Sequence, residues 1–357
     1  MSFTRVDIGF VPLTDAATLI VAHEMGFAAE EGLELVLHKE VSWSNIRDKV
    51  SMEIYPMAQM LSPLALAMSL GLSPVPAHII APFVLNHNGN TLVTSRALFG
   101  RLQNDFGDAA TLKESVRHML KERPLRIGIP YPQSMHRELI NFWLSDGIGE
   151  PLQNVEFSVA PPSMLGSAMG AGEIDAFMVG EPWGSLAVER GDAQMLLCGA
   201  SIWNAAPEKV LGVHSKWAEE NADTLRRLIR SLFRASLWAG ERANASSLAE
   251  LLAKPDYIGI SAEIIERALI GELIVDQKGQ IRINADVIKL SGASVTYPSR
   301  SDALWIGNQV APSWGVSRFE AHKAAAKVFR PDIYRAALES SGVEFPEISD
   351  SLEFFGV

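Results

Sequence analysis

The chain has 357 residues, of which 48% are hydrophobic and 20% are charged. It can therefore bury a large core, and no apolar run approaches the roughly 20 residues of a membrane-spanning helix. The net charge of −11 repels nucleic-acid phosphates and disfavours direct binding of DNA or RNA. A single cysteine, Cys198, excludes an intramolecular disulfide and a zinc site built from several cysteines.

The first hundred residues alternate between strand and helix patterns. Hydrophobic alternation marks the strands, and apolar residues at helical spacing mark the helices. Ser42 is a predicted N-cap, and the polar run 86–90 (NHNGN) is a predicted turn. The predicted strands are residues 6–11, 33–41 and 77–85, and the predicted helices are residues 16–27, 43–50 and 60–70.

After a polar stretch at 101–123 the same alternation restarts, and long helices fill the last third of the chain. The predicted strands are 125–129, 155–160 and 176–179, and the predicted helices are 134–144, 164–171, 216–238 with an interruption at Asn221, 246–253, 262–270, 317–329 and 331–341. This order predicts two α/β lobes with mostly parallel sheets. A ligand is then expected in the cleft between the lobes, beyond the carboxyl ends of the strands.

Familiar catalytic signatures are missing from the sequence. It contains no G-x-S-x-G elbow, no phosphate-binding P-loop, no H-E-x-x-H and no glycine-rich dinucleotide fingerprint. None of the eight histidines has a second histidine or cysteine at helical metal-ligand spacing. We therefore expect no enzymatic activity, metal or cofactor, although a metal enzyme is disfavoured rather than excluded.

Several short segments carry a family resemblance that none of them carries alone. They are residues 9–17 (GFVPLTDAA), 42–49 (SWSNIRDK), 60–63 (MLSP), 88–90 (NGN), 134–136 (SMH), 172–177 (GEIDAF), 179–183 (VGEPW) and 207–209 (PEK). Together they resemble the nitrate/nitrite/bicarbonate solute-binding proteins of ABC transporters. The resemblance spans about 200 residues in the family's order.

The resemblance implies a bilobal, periplasmic-binding-protein-like fold of type II, here with a helical C-terminal extension. Residues 1–100 and 205–357 would form lobe 1 with the C-terminal helices, and residues 101–204 would form lobe 2. An oxyanion would sit between lobes that close on it.

Three side chains are the main ligand candidates. Trp43 would offer an indole N–H at a helix start, where backbone N–H groups already favour an anion; the alternative is a core tryptophan. His136 also opens a helix, and the alternative is a structural histidine. Lys209 stands where bicarbonate-binding relatives look to carry an acidic calcium ligand, so the resemblance favours nitrate or nitrite; the alternative is a solvated surface lysine.

Four further residues complete the expected site. Gly89, Asn90 and Thr91 follow a strand and would present backbone and side-chain donors, or serve only as turn residues. Glu181 would line the cleft or hinge and pair with a donor there. One departure concerns Gln59, which ends a stretch where relatives usually show Gly-x-x-Asp-Ala-Ala-His; a hydrogen-bonding role can survive there because an amide both donates and accepts.

Three hypotheses for function follow. No secretory leader is recognisable at the start, and residues 329–335 (FRPDIYR) resemble the family's cytoplasmic sensor branch. The first hypothesis is therefore a cytoplasmic nitrate/nitrite sensor whose lobe closure regulates an RNA-binding antiterminator protein. The alternative is the solute-binding component of a nitrate/nitrite ABC transporter. A third is an enzyme on the same scaffold acting on a thiamin-precursor-like substrate, for which Cys198 would be the only thiol.

Overall fold

A computed structural model describes residues 3–102, 106–145, 152–191 and 193–346. Among these residues, no helix combines the length and the apolar character that crossing a membrane requires. The chain builds two sheets flanked by helices, and it divides naturally into three segments.

The first segment contributes most of one sheet. Its strands are β1 (Thr4–Phe10), β2 (Leu33–Lys39), β3 (Met57–Leu61), β4 (Ile79–Ile80) and β5 (Val84–Asn88), and its helices are α1 (Ala17–Glu24), α2 (Phe27–Glu30), α3 (Trp43–Ser51) and α4 (Ser62–Ser69). Ser42 caps α3, as predicted, by accepting a hydrogen bond from the Asn45 N–H.

The second segment forms the other sheet. Its strands are β6 (Asn90–Ser95), β7 (Leu125–Ile129), β8 (Val155–Val159), β9 (Ala176–Gly180) and β10 (Ala193–Cys198), and its helices are α5 (Arg96–Phe99), α6 (Ala109–Glu122), α7 (Met135–Leu144), α8 (Leu165–Gly170) and α9 (Trp183–Glu189). Ser134 caps α7 by accepting from the Arg137 N–H.

The third segment returns to the first sheet and then becomes mainly helical. Its strands are β11 (Pro207–His214), β12 (Glu272–Ile274), β13 (Ile281–Ile283) and β14 (Ile288–Lys289), and its helices are α10 (Ser215–Glu220), α11 (Ala222–Gly240), α12 (Ala245–Leu252), α13 (Ala262–Ile270), α14 (Ala293–Thr296), α15 (Arg300–Trp314), α16 (Arg318–Val328) and α17 (Pro331–Leu338). The predicted interruption at Asn221 is present between α10 and α11.

Both sheets are mixed, so the prediction of mostly parallel sheets is wrong. The first has the order β14-β5-β11-β3-β1-β2 with β4 also beside β11, and the second has the order β10-β6-β9-β7-β8. In each sheet one strand has parallel neighbours on both sides, β1 in the first sheet and β7 in the second, but the strands next to the lobe crossings run antiparallel to their neighbours. The crossings cause this, since a strand that returns from the other lobe enters from the opposite end.

The chain crosses between the sheets at two places. Gly89 alone separates β5 from β6, and residues 199–206 separate β10 from β11. The division into residues 1–100 with 205–357 and 101–204 stays a prediction about folding units, whereas sheet membership already changes at Gly89. The β12–β13 hairpin packs Leu273 and Val275 into the apolar core of the second sheet. We call the β1-containing body lobe 1 and the β6-containing body lobe 2.

Several other local predictions differ from the structure. The predicted helix 60–70 starts too early, because residues 60 and 61 belong to strand β3 and α4 begins at Ser62. The predicted turn at 86–90 is instead extended, and β5 continues through Gly89 into β6. The polar stretch 101–123 contains α6, capped by Asp108. Strands β10 and β11 and helix α15 were not predicted.

Candidate functional site

The facing ends of the two lobes bring the main predicted residues together. In lobe 1 the register pairs Lys209 of β11 with Leu61, the last residue of β3. Trp43 opens α3, and in lobe 2 His136 lies in the first turn of α7. These positions lie at the carboxyl ends of parallel strands, where ligand sites of open α/β sheets form.

Trp43 is fully buried and offers an unused donor. Its indole Nε1 has no hydrogen-bond partner among the described residues. A buried N–H without a partner costs free energy, and such a donor is therefore usually reserved for a ligand or water.

His136 is 1% exposed and lies on the opposite lobe. Neither ring nitrogen has a hydrogen-bond partner within the described ranges, although Nδ1 is 3.6 Å from Oε1 of Glu208. Burial, together with the nearby Lys209 charge, lowers the pKa of His136 well below its ordinary value. The ring is therefore neutral at physiological pH and carries one N–H donor.

Lys209 is fully buried at the centre of this cluster, so it is not a solvated surface lysine. Its ammonium nitrogen is 2.7 Å from Oδ2 of Asp15 and 2.8 Å from Oε1 of Glu208. Burial alone would disfavour the charge, but the two carboxylates raise the pKa of Lys209 above its ordinary value. The lysine is therefore a fixed cation.

Asp15 and Glu208 are site residues that the sequence analysis missed. Burial raises the pKa of each carboxyl group, and Lys209 partly offsets this effect. The motifs GFVPLTDAA and PEK contain both residues, but strand alternation would place Glu208 and Lys209 on opposite faces of β11. The pairing of β11 with β5 is irregular around Lys209, and the two neighbouring side chains meet.

Gln59 keeps a hydrogen-bonding role, directed at the same cluster. Its Oε1 accepts from the Val11 N–H at 2.8 Å, and its Nε2 donates to Oδ1 of Asp15 at 2.5 Å. Gln59 thus positions the Asp15 carboxylate, which in turn pairs with the Lys209 ammonium group.

Asn90 links the two lobes within the cluster. From the start of β6 its Nδ2 donates to Oε2 of Glu208 at 2.6 Å, and its Oδ1 has no partner among the described residues. The amide N–H of Asn90 is therefore bonded to Glu208, the carboxylate that also pairs with Lys209.

Gly89, Thr91 and Glu181 form the lobe crossing next to this cluster. Gly89 has a φ of +98°, its N–H donates to the Val287 carbonyl, and its carbonyl accepts from the Glu181 N–H. The Thr91 hydroxyl donates to Oε1 of Glu181, as expected for a paired carboxylate. The Glu181 carbonyl accepts from the N–H and the hydroxyl of Thr14 in lobe 1. Direct contact of these three residues with a ligand stays a prediction.

The arrangement is suited to binding an anion, because donors from both lobes and a fixed ammonium converge. Burial raises the pKa of the Cys198 thiol, which is the opposite of what an activated nucleophile needs. In the described ranges, no group of three or more histidine, cysteine or acidic side chains is arranged to hold a metal ion.

Comparison with known proteins identifies relatives across nearly the whole chain. A sequence profile of the NMT1-like family matches residues 2–253. The chain is 33% identical to the nitrate import ATP-binding protein NrtC of Synechocystis sp. over 95% of its own length, but it spans only 50% of that protein. It is 26% identical to the nitrate/nitrite binding protein NrtA of Nostoc sp., with 98% of this chain and 80% of NrtA covered.

Solved structures confirm the fold. The periplasmic nitrate-binding protein NrtA from Synechocystis PCC 6803 superposes with a TM-score of 0.87 at 24% identity, covering 97% of this chain and 92% of that one. The alkanesulfonate-binding protein SsuA from Xanthomonas axonopodis pv. citri superposes with a TM-score of 0.66 at 14% identity, covering 91% and 98%. The bilobal, periplasmic-binding-protein-like fold of type II predicted from the sequence is therefore confirmed.

Proposed function

The chain belongs to the NMT1-like family, and we propose that it is a binding protein that binds nitrate or nitrite reversibly between its two lobes. The observation that carries this proposal is a pair of buried donors next to the Lys209 cluster, Trp43 from lobe 1 and His136 from lobe 2, neither of which has a hydrogen-bond partner among the described residues. The printed names of the NrtA relatives support the identity of the anion.

Nitrate fits the chemistry of these groups. It is planar, singly charged and only accepts hydrogen bonds, so it needs oriented N–H donors and a cation but no proton-transfer group. Lys209 supplies the cation, while the indole and imidazole supply N–H donors. An ammonium at this position also repels a divalent cation, which disfavours calcium-dependent binding of bicarbonate.

The proposed mechanism is a population shift between open and closed lobes. An anion that accepts from Trp43 and His136 touches both lobes at once, so it binds the closed state more tightly than the open one. The anion can shift the equilibrium between open and closed lobes only by as much as its affinities for the two states differ.

We favour a role as the solute-binding component of a nitrate/nitrite ABC transporter. The relatives that support this role are a binding protein and transporter components by name. The chain spans about half the length of NrtC, so the proposal covers only the solute-binding role and not the ATP-binding activity in the name of NrtC.

A cytoplasmic sensor that holds an antiterminator protein inactive is the second candidate. It rests on the resemblance of residues 329–335 to the sensor branch. In the structure Phe329 bridges to Ala81, and the Arg330 N–H donates to the Ala81 carbonyl, so this segment also has a structural role in lobe 1.

Calorimetry tests the anion assignment. Nitrate and nitrite should each give saturable 1:1 binding, and bicarbonate, with and without calcium, should bind at least about tenfold more weakly. No heat with nitrate or nitrite at millimolar concentration, confirmed by an absent thermal shift, would overturn it.

A gene deletion separates transporter from sensor. Loss of the transporter component abolishes uptake of ¹⁵N-nitrate from micromolar medium. Loss of the sensor leaves uptake capacity intact and makes expression of nitrate-responsive genes constitutive. Cell fractionation of the native protein tests its predicted cytoplasmic location.

A further inference from the structure

A cavity of about 460 Å³, separate from the Lys209 cluster, lies where strand β5, the crossing segment 199–206 and the C-terminal helices meet. Its walls include His87, Trp203, Tyr297, Asp302 and Arg335. None of the main anion-site residues lines it. The volume is in the range of small-molecule sites.

Among the charged side chains of the cavity wall, Arg335 and Asp302 have no ion-pair partner within the described residues. Arg335 donates to the Tyr297 hydroxyl at 2.9 Å and to the Pro346 carbonyl at 2.8 Å; both acceptors are neutral. Asp302 has no hydrogen bond or ion pair within the described residues, and burial raises its pKa to about 7, so it is only partly ionised at neutral pH. Asp332 on the same wall differs, because Arg330 binds both of its carboxylate oxygens.

A buried, unpartnered imidazole lies in the same wall. His87 is 5% exposed, and its Nε2 has no hydrogen-bond partner in the part of the chain that the structure describes. Burial lowers the pKa of His87 to about 4, so the ring is neutral at physiological pH and can still donate or accept. Three polar groups of different character therefore line one cavity: the His87 imidazole, the Arg335 guanidinium and the Asp302 carboxyl group.

The cavity also touches both connections between the lobes. His87 lies two residues before Gly89, and Trp203 belongs to the crossing between β10 and β11. The register pairs His87 with Pro207, which is two residues before Lys209 on β11. A ligand here would therefore lie beside both segments that connect the lobes.

We propose that this cavity binds a small zwitterion of the free α-amino-acid class and that its occupancy is coupled to lobe closure. The ligand carboxylate pairs with Arg335, its ammonium group pairs with Asp302, and its side chain packs against Trp203 and Tyr297. A zwitterion pairs with both side chains at once, whereas a simple anion or cation leaves one of them without an ion-pair partner. Coupling is reciprocal, so nitrate and the amino acid change each other's affinity by the same factor.

The test screens the twenty standard amino acids singly, at about 10 mM, by thermal shift and then by calorimetry. At least one should bind, and Asp302→Asn and Arg335→Gln should each weaken its binding by about tenfold or more while nitrate binding persists. Glu250→Gln, an exposed change on α12, is the control and should leave it unaltered. Binding of none of the twenty, or binding that both variants retain, would overturn the site.

The coupling has its own readout. At saturating amino acid, the nitrate Kd should shift by about threefold or more. An unchanged Kd overturns the coupling. Because nitrate titration of the protein alone is measured separately, failure of this proposal is distinguishable from failure of the anion assignment.

Discussion

The ammonium nitrogen of Lys209 lies 5.4 Å from the centroid of the Trp43 ring. The indole thus contributes its face to a fixed cation, and its N–H has no partner among the described residues. Both side chains belong to lobe 1, and His136 approaches the same cluster from lobe 2 through its 3.6 Å contact with Glu208. A ligand that accepts from Trp43 and His136 therefore connects the lobes.

Trp43→Phe should weaken nitrate binding by about tenfold or more, because it removes an N–H that has no partner among the described residues and keeps an aromatic ring beside Lys209. Calorimetry measures the affinity. Trp143→Phe is the matched control, since its Nε1 already donates to the Ala109 carbonyl at 2.7 Å. That control should lose some stability and no affinity. Equal affinities of the two variants would remove Trp43 from the site.

Lys209→Met should lower the free energy of unfolding by about 3–5 kcal/mol and abolish nitrate binding. It leaves the carboxylates of Asp15 and Glu208 buried without their cation. Urea unfolding gives the stability. Adding Asp15→Asn and Glu208→Gln to the same chain should recover most of the stability but not the binding. Restored nitrate binding in this triple variant would show that the ammonium is not a ligand.

Gln59→Met should cost about 2 kcal/mol of stability, since it removes the acceptor for the Val11 N–H and the donor to Asp15. It should also weaken nitrate binding, because Asp15 then holds Lys209 less firmly. The control is Gln309→Met on α15: that amide is buried, and neither its oxygen nor its nitrogen has a partner in the described ranges. Its replacement should be neutral or stabilising, and equal losses at both positions would contradict the role given to Gln59.

Nitrate affinity should rise as the pH falls from 8 to 6. A bound anion favours protonation of its neighbours, so it raises the pKa of His136, which burial holds low, and of Asp15 and Glu208, which burial already raises. Binding therefore takes up protons, and the affinity gains at most about tenfold per pH unit for one full proton. Calorimetry in buffers of different ionisation enthalpy counts the protons. A Kd that is constant over this range, with no proton uptake, would contradict this electrostatic description.

Glu138→Gln should stabilise the protein at pH 8 and have little effect at pH 5. Burial raises the pKa of Glu138 from 4.5 to about 7. The folded protein therefore favours the protonated carboxyl group, and the stability gained from this is fully present below about pH 4.5 and is lost as the pH rises through 7. The gain at pH 8 is at most about 3 kcal/mol. Glutamine keeps an oxygen that accepts from Asn141. Urea unfolding at both pH values checks it, and a pH-independent difference would show that Glu138 is not buried in its charged form.

Local signals in the sequence predicted much of the fold. Ser42 precedes a helix and accepts from a backbone N–H there, and Asn221 interrupts a helical pattern where the structure breaks it. Such features depend on a few neighbouring residues. The motif Asn88-Gly89-Asn90 misled for the same reason, because the sequence that favours a tight turn here serves an extended crossing with Gly89 at positive φ.

The composition of the site could be predicted only in part. Trp43, His136 and Lys209 were identified through resemblance, whereas the partners of Lys209 depend on contacts between residues that are far apart in the chain. Asp15 lies 194 residues before Lys209 in the chain, yet the two side chains form an ion pair. Strand β11 was missed because adjacent glutamate and lysine are typical of a surface, and only their mutual pairing allows burial at the centre of the molecule.

The most direct test is a crystal structure of the chain grown with nitrate. We expect the anion between the lobes, within hydrogen-bond distance of the Trp43 Nε1, a ring nitrogen of His136 and the Lys209 ammonium group. Nitrate bound elsewhere, or a closed site in which water alone satisfies Trp43 and His136 at saturating nitrate, would contradict the account.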